Sequence, residues 1–262
     1  MLRPRIIPCL LVHNKGLVKT VNFTNPKYVG DPINAVKIFN EKEVDELIVL
    51  DIDASIEQQY PDYEMIKNLA VECRMPLCYG GGVKTVEQAK HIISLGVEKV
   101  AISSVVFENS SIIEEFASTI GSQSVVVVLD IKKQKWRNQY EIYTHNATKS
   151  TGKSLPKFLN EIQNMRIGEI VINFIDNDGY MDGYDYTLVN KIKSIVKVPL
   201  SVLGGAGSLD DIKRLVNENG VIGAAAGSIF VFKGPYKAVL INYPDSKDKE
   251  LLLQDFLNCT AP

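Results

Sequence analysis

The stretch Val125-Val126-Val127-Val128-Leu129-Asp130 is an uninterrupted apolar run that ends on a carboxylate. Such a run, without alternation of polar and apolar residues, is typical of a strand buried on both faces of a parallel sheet. Seven similar runs predict further strands: Ile6–Leu10, Leu47–Ile52, Pro76–Tyr79, Lys99–Ile102, Ile170–Ile175, Pro199–Leu203 and Val221–Ala226. Amphipathic segments between them predict helices, as in Ile33–Glu43, Thr85–Leu95 and Leu209–Val216. Eight strands alternating with helices indicate either a closed barrel or a doubly wound sheet.

An internal repeat favours the barrel. Asp51 and Gly81 are 30 residues apart in the first half, and Asp176 and Gly205 are 29 residues apart in the second. In each half, a further 22 residues lead to a turn of small residues, at Ser103 and at Gly227. Repeats of this kind reveal architecture before function. We therefore predict one α/β domain over residues 1–262, a (β/α)8 TIM barrel with half-barrels at roughly 1–122 and 123–245 and a C-terminal helix over 246–262.

Composition narrows the range of functions. The chain is 45% hydrophobic and 23% charged, with a formal net charge of −2, so it has no basic excess with which to neutralise a nucleic-acid backbone. No apolar window approaches the length of a membrane span, and no secretory leader is recognisable. We expect a cytoplasmic protein without metal or cofactor, whose cysteines are reduced packing residues: Cys9, Cys73, Cys78 and Cys259.

Two glycine-rich turns predict phosphate-binding sites, which we call the first and second cradles. Each turn follows a strand and precedes a helix, where free backbone N–H groups and the helix dipole favour an anion. The alternative is that these glycines serve only as tight turns. Two cradles at one barrel mouth indicate a ligand with two phosphates. The first cradle comprises Gly81, Gly82, Ser103 and Ser104, and the second comprises Gly204, Gly205, Gly227 and Ser228.

Carboxylates stand at the ends of several predicted strands, where barrel enzymes place their chemistry. Asp130 is a candidate general acid or base, with loop ordering as the alternative interpretation. Asp51 and Asp176 are further carboxylates expected at the mouth. Lys19 either clamps a phosphate or steadies a loop, unless it is an ordinary solvated lysine. His13 has no partner suggested by the sequence, and we interpret it as a loop residue.

Charged residues precede four of the strands at the opposite end of the barrel. Two are positive and two negative, so they are able to form a ring of ion pairs across the barrel floor, although charges at strand starts are common. Between the strands, Gln134–Tyr143 is expected to form an added hairpin, and the polar stretch His145–Lys153 is expected to be a mobile surface loop. The four floor residues are Arg5, Glu46, Lys99 and Glu169.

Seven motifs are distributed along essentially the whole chain. They are R-I-I-P-C-L (5–10), L-V-K-T (17–20), L-D-I-D-A-S (50–55), G-G-G-V-K-T (80–85), V-V-V-L-D (126–130), D-N-D-G-Y-M-D-G-Y-D (176–185) and L-G-G-A-G (203–207). Together they resemble the HisF family, the cyclase subunit of imidazole glycerol phosphate synthase.

The resemblance implies a barrel that forms a heterodimer with a HisH-like glutaminase. The glutaminase would dock at the floor, and its ammonia would pass through the barrel to a phosphorylated ligand at the mouth. Arg5, Glu46, Lys99 and Glu169 match the family's ammonia gate. Asp130 matches one of its two catalytic aspartates, and Lys19 matches its loop lysine.

One departure from the family concerns the first strand, which reads Cys9-Leu10-Leu11 where the family has its second catalytic aspartate. Leu11 cannot transfer a proton, and loss of a positioned acid or base typically lowers the rate ~10²–10⁴-fold. This change, the N-terminal M-L-R-P-R-I-I-P and the segment Tyr28–Asn34 look more like a HisF-like branch associated with sugar amidation in bacterial surface-polysaccharide synthesis.

Three functions follow from this resemblance. The first is an ammonia-conducting subunit that supplies a separate sugar amidotransferase. The second is a working cyclase of histidine biosynthesis, which would convert a bisphosphate ribonucleotide and ammonia to imidazole glycerol phosphate and AICAR, with Asp130 helped by Asp51 or Asp176. The third is a sugar-phosphate isomerase of the sister barrel family, which Leu11 also disfavours because that isomerase uses a first-strand aspartate.

Overall fold

Eight parallel strands close into a barrel, as the sequence predicts. The structure is a computed structural model that describes residues 3–134 and 139–260. Each barrel strand pairs in parallel with the next, and β12 pairs with β1 to close the cylinder. The barrel strands are β1 (Arg5–His13), β4 (Leu47–Asp51), β5 (Leu77–Gly80), β6 (Lys99–Ile102), β7 (Val125–Lys133), β10 (Glu169–Phe174), β11 (Leu200–Leu203) and β12 (Gly223–Ala226).

Helices surround the barrel and bury their apolar faces against it. Local sequence sets their starts: Asp31 caps α1 through the N–H of Asn34, and Thr85 with Gln88 forms a capping box on α3. The helices are α1 (Pro32–Glu41), α2 (Tyr63–Glu72), α3 (Val86–Ser94), α4 (Ser104–Glu108), α5 (Ile112–Ile120), α6 (Leu155–Ile162), α7 (Tyr186–Ile195), α8 (Leu209–Asn219) and α9 (Ser246–Thr260).

Two antiparallel hairpins rise from the C-terminal ends of barrel strands. Strands β2 (Gly16–Val21) and β3 (Thr24–Gly30) extend β1, while β8 (Tyr140–Thr144) and β9 (Lys149–Ser154) extend β7. This pairing explains why β1 and β7 run beyond their predicted ends. The predicted β7–β8 hairpin is present, although its tip, with Trp136, lies outside the described residues. The prediction of a mobile loop over residues 145–153 is wrong, because residues 149–153 belong to strand β9.

Two apolar cores lie on either side of the barrel wall. The outer core fills the space between strands and helices, and the inner core fills the bore with side chains of alternate strand positions. Strand β12 carries the smallest side chains, Gly223-Ala224-Ala225-Ala226, and all four residues are buried. A short hairpin of β13 (Phe232–Lys233) and β14 (Ala238–Val239) follows this strand.

The C-terminal helix α9 packs beside α8 and returns to the N-terminal end of β4. Its Lys249 ammonium contacts the Asp45 carboxylate at 3.2 Å and the Glu43 carbonyl oxygen at 3.1 Å, and Leu252 is buried. Over the described residues, no helix combines the length and apolarity that crossing a membrane requires.

Candidate functional site

One pocket opens at the C-terminal ends of the barrel strands. It brings together residues that lie more than 200 positions apart, because parallel strands direct all their C-terminal ends to the same face. All eight residues of the two predicted cradles line it, together with Leu11, Lys19, Asp51 and Asp130. The pocket therefore assembles the sequence-predicted mouth residues, with the exception of Asp176.

The second cradle adjoins the buried side chain of Lys19. Lys19 is 6% exposed, and its ammonium donates to the carbonyl oxygen of Cys9 at 2.7 Å, so the interpretation as a solvated lysine is wrong. Burial lowers the pKa of Lys19, opposed by the nearby groups of Cys9 and Asp178. Gly205 has φ +109°, and a Cβ there would lie 2.1 Å from the Gly183 carbonyl oxygen, so only glycine fits this turn.

The first cradle contains a buried hydroxyl that is free to bind a ligand. Ser103 Oγ is shielded from solvent, and it has no hydrogen-bond partner among the described parts of the chain. Buried polar groups are normally hydrogen-bonded, so the Ser103 hydroxyl is suited to a polar group of a molecule bound in the pocket. Gly81 has φ +130°, and a Cβ there would lie 2.6 Å from the Asp51 carbonyl oxygen.

Asp130 is the carboxylate with the most perturbed environment in the pocket. Burial raises its pKa to about 7; the hydrogen bond from the Asn173 amide at 2.9 Å opposes this shift, and the Asp178 charge adds to it. A carboxyl group with a pKa near neutrality can both take up and release a proton at physiological pH. Asp130 therefore retains the properties of an acid–base group.

Leu11 lies in the same pocket and carries no such chemistry. Its neighbours across the sheet are Leu50 on β4 and Val18 on β2, and its partly buried side chain packs against the inner core. The aliphatic surface at the base of the mouth therefore continues that of the bore.

The carboxylate that follows β10 was assigned to the wrong residue. Asp176 is exposed and accepts a hydrogen bond from the Lys133 N–H at 2.8 Å, outside the pocket. A short 3₁₀ turn (Ile175–Asn177) directs Asp178 inward instead, where it accepts from Thr20 Oγ1 at 2.6 Å and from the Phe23 N–H at 3.0 Å. Burial raises the pKa of Asp178, against these hydrogen bonds.

Other polar residues at the mouth are hydrogen-bonded to neighbouring loop residues. Asp51 lines the pocket, but its carboxylate accepts from the backbone N–H groups of Asp53 and Ala54, and burial raises its pKa. His13 does have a partner, because its Nδ1 lies 2.6 Å from Asp53 Oδ1. Sequence reasoning also missed Asn173 and His145, which line the pocket. Within residues 3–134 and 139–260, no group of three or more His, Cys, Asp or Glu is arranged to hold a metal ion.

At the opposite end of the barrel, the four predicted floor residues form a closed ring of ion pairs. The Arg5 guanidinium contacts the carboxylates of Glu46 and Glu169, with Nη2 2.8 Å from Glu169 Oε1. The Lys99 ammonium bridges the same two carboxylates at 2.6 and 2.8 Å. Both glutamates are buried, whereas Arg5 and Lys99 are partly buried.

Three of the ring's groups, Arg5, Lys99 and Glu169, have pKa values shifted toward their charged forms. Burial alone would raise the pKa of Glu169, but hydrogen bonds and charge from Arg5 and Lys99 lower it to about 2. The same carboxylates raise the pKa values of Arg5 and Lys99 against the effect of burial. Arg5, Lys99 and Glu169 therefore remain charged throughout the physiological pH range.

Between floor and mouth, the bore is lined by apolar and small side chains. They include Ile7, Cys9, Cys78, Ala101 and Ala225. Burial raises the pKa of Cys9 to about 12 and raises that of Cys78 as well, so both thiols are neutral. Such a lining disfavours a charged ion and tolerates a small neutral molecule.

The structure is thus that of a (β/α)8 barrel protein, with a pocket lined by two glycine-rich turns at its mouth and a ring of ion pairs at its floor. Residues 5–237 match the family described as "Histidine biosynthesis protein". The chain is 59% identical over 254 residues to a provisionally named imidazole glycerol phosphate synthase subunit hisF3 from Vibrio vulnificus, which covers 97% of this chain and 98% of the relative. It is 34% identical over 253 residues to the imidazole glycerol phosphate synthase subunit HisF of Natranaerobius thermophilus, with 97% and 100% covered.

A further relative, the provisionally named subunit hisF2 of Pseudomonas aeruginosa, is 51% identical over 245 residues, with 94% of this chain and 97% of the relative covered. The chain belongs to the HisF family.

Proposed function

We propose that this chain is an ammonia-conducting barrel subunit. It accepts ammonia from a HisH-like glutaminase docked at the floor and releases it at the mouth for amidation of a sugar in bacterial polysaccharide synthesis. The glutaminase and the barrel form a heterodimer, and a separate sugar amidotransferase consumes the ammonia. The sugar acceptor rests on the resemblance to the HisF-like branch, whereas the passage rests on the geometry of the barrel.

The observation that carries this proposal is the combination of an intact ring with a broken acid–base pair. Arg5, Glu46, Lys99 and Glu169 close the floor, and apolar side chains line the bore above them. In the same pocket as Asp130, Leu11 supplies only an aliphatic surface. The ion-pair ring and the apolar bore support the proposed passage of ammonia, and Leu11 stands where the family has an aspartate that takes part in closing the imidazole ring.

The phosphate cradles retain a role in this proposal. In the first cradle, the buried Ser103 hydroxyl makes no hydrogen bond to the described residues, and in the second cradle the Lys19 ammonium lies beside Gly227. A phosphorylated ligand bound between the cradles would cover the mouth and neutralise the one lysine that borders it in the described structure. The cradles thus support binding of a phosphorylated small molecule whether or not it is converted.

Supplying the purified chain with ammonium salt and the bisphosphate ribonucleotide tests the proposal directly. We expect no loss of substrate absorbance above background with the unmodified chain, and measurable turnover with Leu11→Asp. Leu11→Asn is the matched control, because it is nearly isosteric with aspartate and cannot exchange a proton. Turnover by the unmodified chain at a rate normal for HisF relatives overturns the proposal.

A second measurement tests delivery. The chain is co-expressed with a HisH-like glutaminase, and glutamine labelled with ¹⁵N in its side-chain amide is supplied together with a sugar amidotransferase. We expect the label in the amidated sugar even when unlabelled ammonium is present in solution. Equal dilution of the label by external ammonium would show that no internal passage is used.

One observation favours a second candidate, the working cyclase of histidine biosynthesis. Asp130 is partly buried, accepts a hydrogen bond from Asn173 and has a pKa raised to about 7, and Asp178 lies in the same pocket as a second partly buried carboxylate. In this alternative, Asp130 acts as both acid and base with Asp178 in support. The ammonium-dependent assay decides between the two candidates, because only the cyclase forms imidazole glycerol phosphate.

A further inference from the structure

A buried serine adjoins the charged ring at the barrel floor. Ser201 lies on β11 and is fully buried. Its hydroxyl donates a short hydrogen bond to Glu169 Oε1, and the Arg5 Nη2 lies 3.5 Å from its oxygen. Ser201 is thus a polar member of the floor that neither the spacing of charges nor the family resemblance identifies.

The two carboxylates of the ring are held unequally. Glu169 accepts from both Arg5 nitrogens, at 2.8 and 3.2 Å, from Lys99 at 2.8 Å and from Ser201. Glu46 accepts from Arg5 and from Lys99 among the contacts of the described residues. Hydrogen bonds to a charged group are among the stronger ones, so Glu169 is the more firmly held of the two.

Gly223 makes this arrangement possible. In the sheet register, Gly223 on β12 stands between Arg5 on β1 and Ser201 on β11. A Cβ at position 223 would lie 1.8 Å from Ser201 Oγ and 2.8 Å from its Cβ, closer than any real contact. The backbone of Gly223 is not left-handed, so the requirement for glycine comes from this side-chain contact.

We propose that Ser201 is a positioning residue that fixes Glu169, so that the ring opens by separation of Glu46 from Arg5 and Lys99. This inference rests on the proposed passage of ammonia, because only that passage requires the ring of ion pairs to open. In the open state the Arg5 and Lys99 cations stay bound to the fixed Glu169, and the Glu46 side chain moves away from them. Gly223 preserves the space in which the Ser201 hydroxyl reaches its acceptor.

Carboxyl ¹³C NMR of the full chain, labelled at glutamate, tests the proposal without a partner protein. The signals of the two carboxylates are assigned from Glu46→Gln and Glu169→Gln. In the unmodified chain, we expect relaxation dispersion at Glu46 and little at Glu169. In Ser201→Ala, we expect dispersion at both, and a proton affinity of Glu169 raised about tenfold by loss of one charged hydrogen bond.

Two further variants complete the test. Gly223→Ala keeps the Ser201 hydroxyl but displaces it, so it should produce the same changes at Glu169 as Ser201→Ala. It therefore tests the proposal even if Ser201→Ala does not fold. Thr144→Val is the control, because it removes a buried hydroxyl from the β8–β9 hairpin at the opposite end of the barrel. Dispersion in the unmodified chain that is equal at both carboxylates, or a Glu169 signal unaffected by both floor variants, overturns the proposal.

Ammonia delivery separates this inference from the proposed function. If the NMR results are as expected but labelled ammonia never crosses the unmodified barrel, the proposed function fails and the fixing of Glu169 by Ser201 stands. If ammonia is delivered and Ser201→Ala alters neither the Glu169 signal nor the share of ammonia lost to solvent, the inference alone fails.

Discussion

A Cβ on Gly227 would lie 2.2 Å from the Nζ atom of Lys19. The absence of a side chain at 227 therefore provides the space in which the buried ammonium sits beside the second cradle, anchored on the Cys9 carbonyl oxygen. The backbone at Gly227 has φ −108°, which any residue can adopt, so the requirement for glycine is one of space. This relationship makes the position of the lysine testable by substitution of its neighbour.

Gly227→Ala should weaken binding of a bisphosphate ligand by displacing the Lys19 ammonium. We expect a loss of ~10-fold or more in affinity, similar to that of Lys19→Met, because both remove a charge-assisted contact. The double variant should lose little more than either single variant, since the two act through one group. Calorimetric titration measures this cycle. Lys27→Met, on the exposed strand β3, is the control; additive losses would contradict the shared mechanism.

Asp130→Asn should stabilise the protein at alkaline pH. Burial raises the pKa of Asp130 to about 7, so the folded state favours its protonated form. Stability that is fully present at pH 4 is then lost progressively as pH rises to 7. Asparagine removes this loss while keeping an acceptor for Asn173, and we expect a gain of ~1–3 kcal/mol at pH 8 and almost none at pH 4. Urea unfolding across this range measures the difference, and a gain independent of pH contradicts it.

Glu169→Gln should destabilise the protein strongly at neutral pH. The pKa of Glu169 is lowered to about 2, so its charged form stabilises the fold above its ordinary pKa and this contribution is lost as pH falls toward 2. We expect a loss of ~3 kcal/mol in unfolding free energy at pH 7, because Arg5 and Lys99 remain partly buried without their main partner. The exposed Lys153–Glu161 pair provides the control: Glu161→Gln should cost less than ~1 kcal/mol.

Asp178→Asn should loosen the β2–β3 hairpin over the pocket. Asp178 accepts from Thr20 and from the Phe23 N–H, so it ties the turn between these strands to the loop after β10. We expect hydrogen exchange at residues 20–24 to accelerate about tenfold, because a charge-assisted hydrogen bond is replaced by a weaker neutral one. Asp176→Asn is the matched control, and it should leave this segment unchanged.

The sequence predicts the barrel well because its signals are periodic and repeated. Continuous apolar runs mark all eight strands, and the repeated spacing of small-residue turns brings both cradles to one pocket. Strand β9 was missed because Lys149–Ser154 is polar and partly exposed, with no apolar alternation to indicate pairing. Its pairing with β8 is a tertiary effect, and β-structure depends strongly on such context.

Side-chain direction at strand ends is where sequence reasoning fails. Asp176 and Asp178 are two positions apart, and only the 3₁₀ turn between them decides which faces the pocket. Asn173 is the second-last residue of β10. The register between β7 and β10 places it opposite Asp130, and its side-chain amide therefore donates to the Asp130 carboxylate. The floor ring was predictable as a set of charges, but the hydroxyl of Ser201 carries no charge to reveal it.

The four residues of β12 have a wider consequence. Because no side chain on β12 is larger than a methyl group, this strand contributes little volume to the interior of the barrel. The neighbouring strands carry larger inward side chains, such as Ile7 on β1 and Leu203 on β11, so β12 fills less of its side of the bore than they do. If ammonia crosses the barrel as we propose, a larger side chain at Ala225, above the floor ring, should obstruct its path from within the barrel wall.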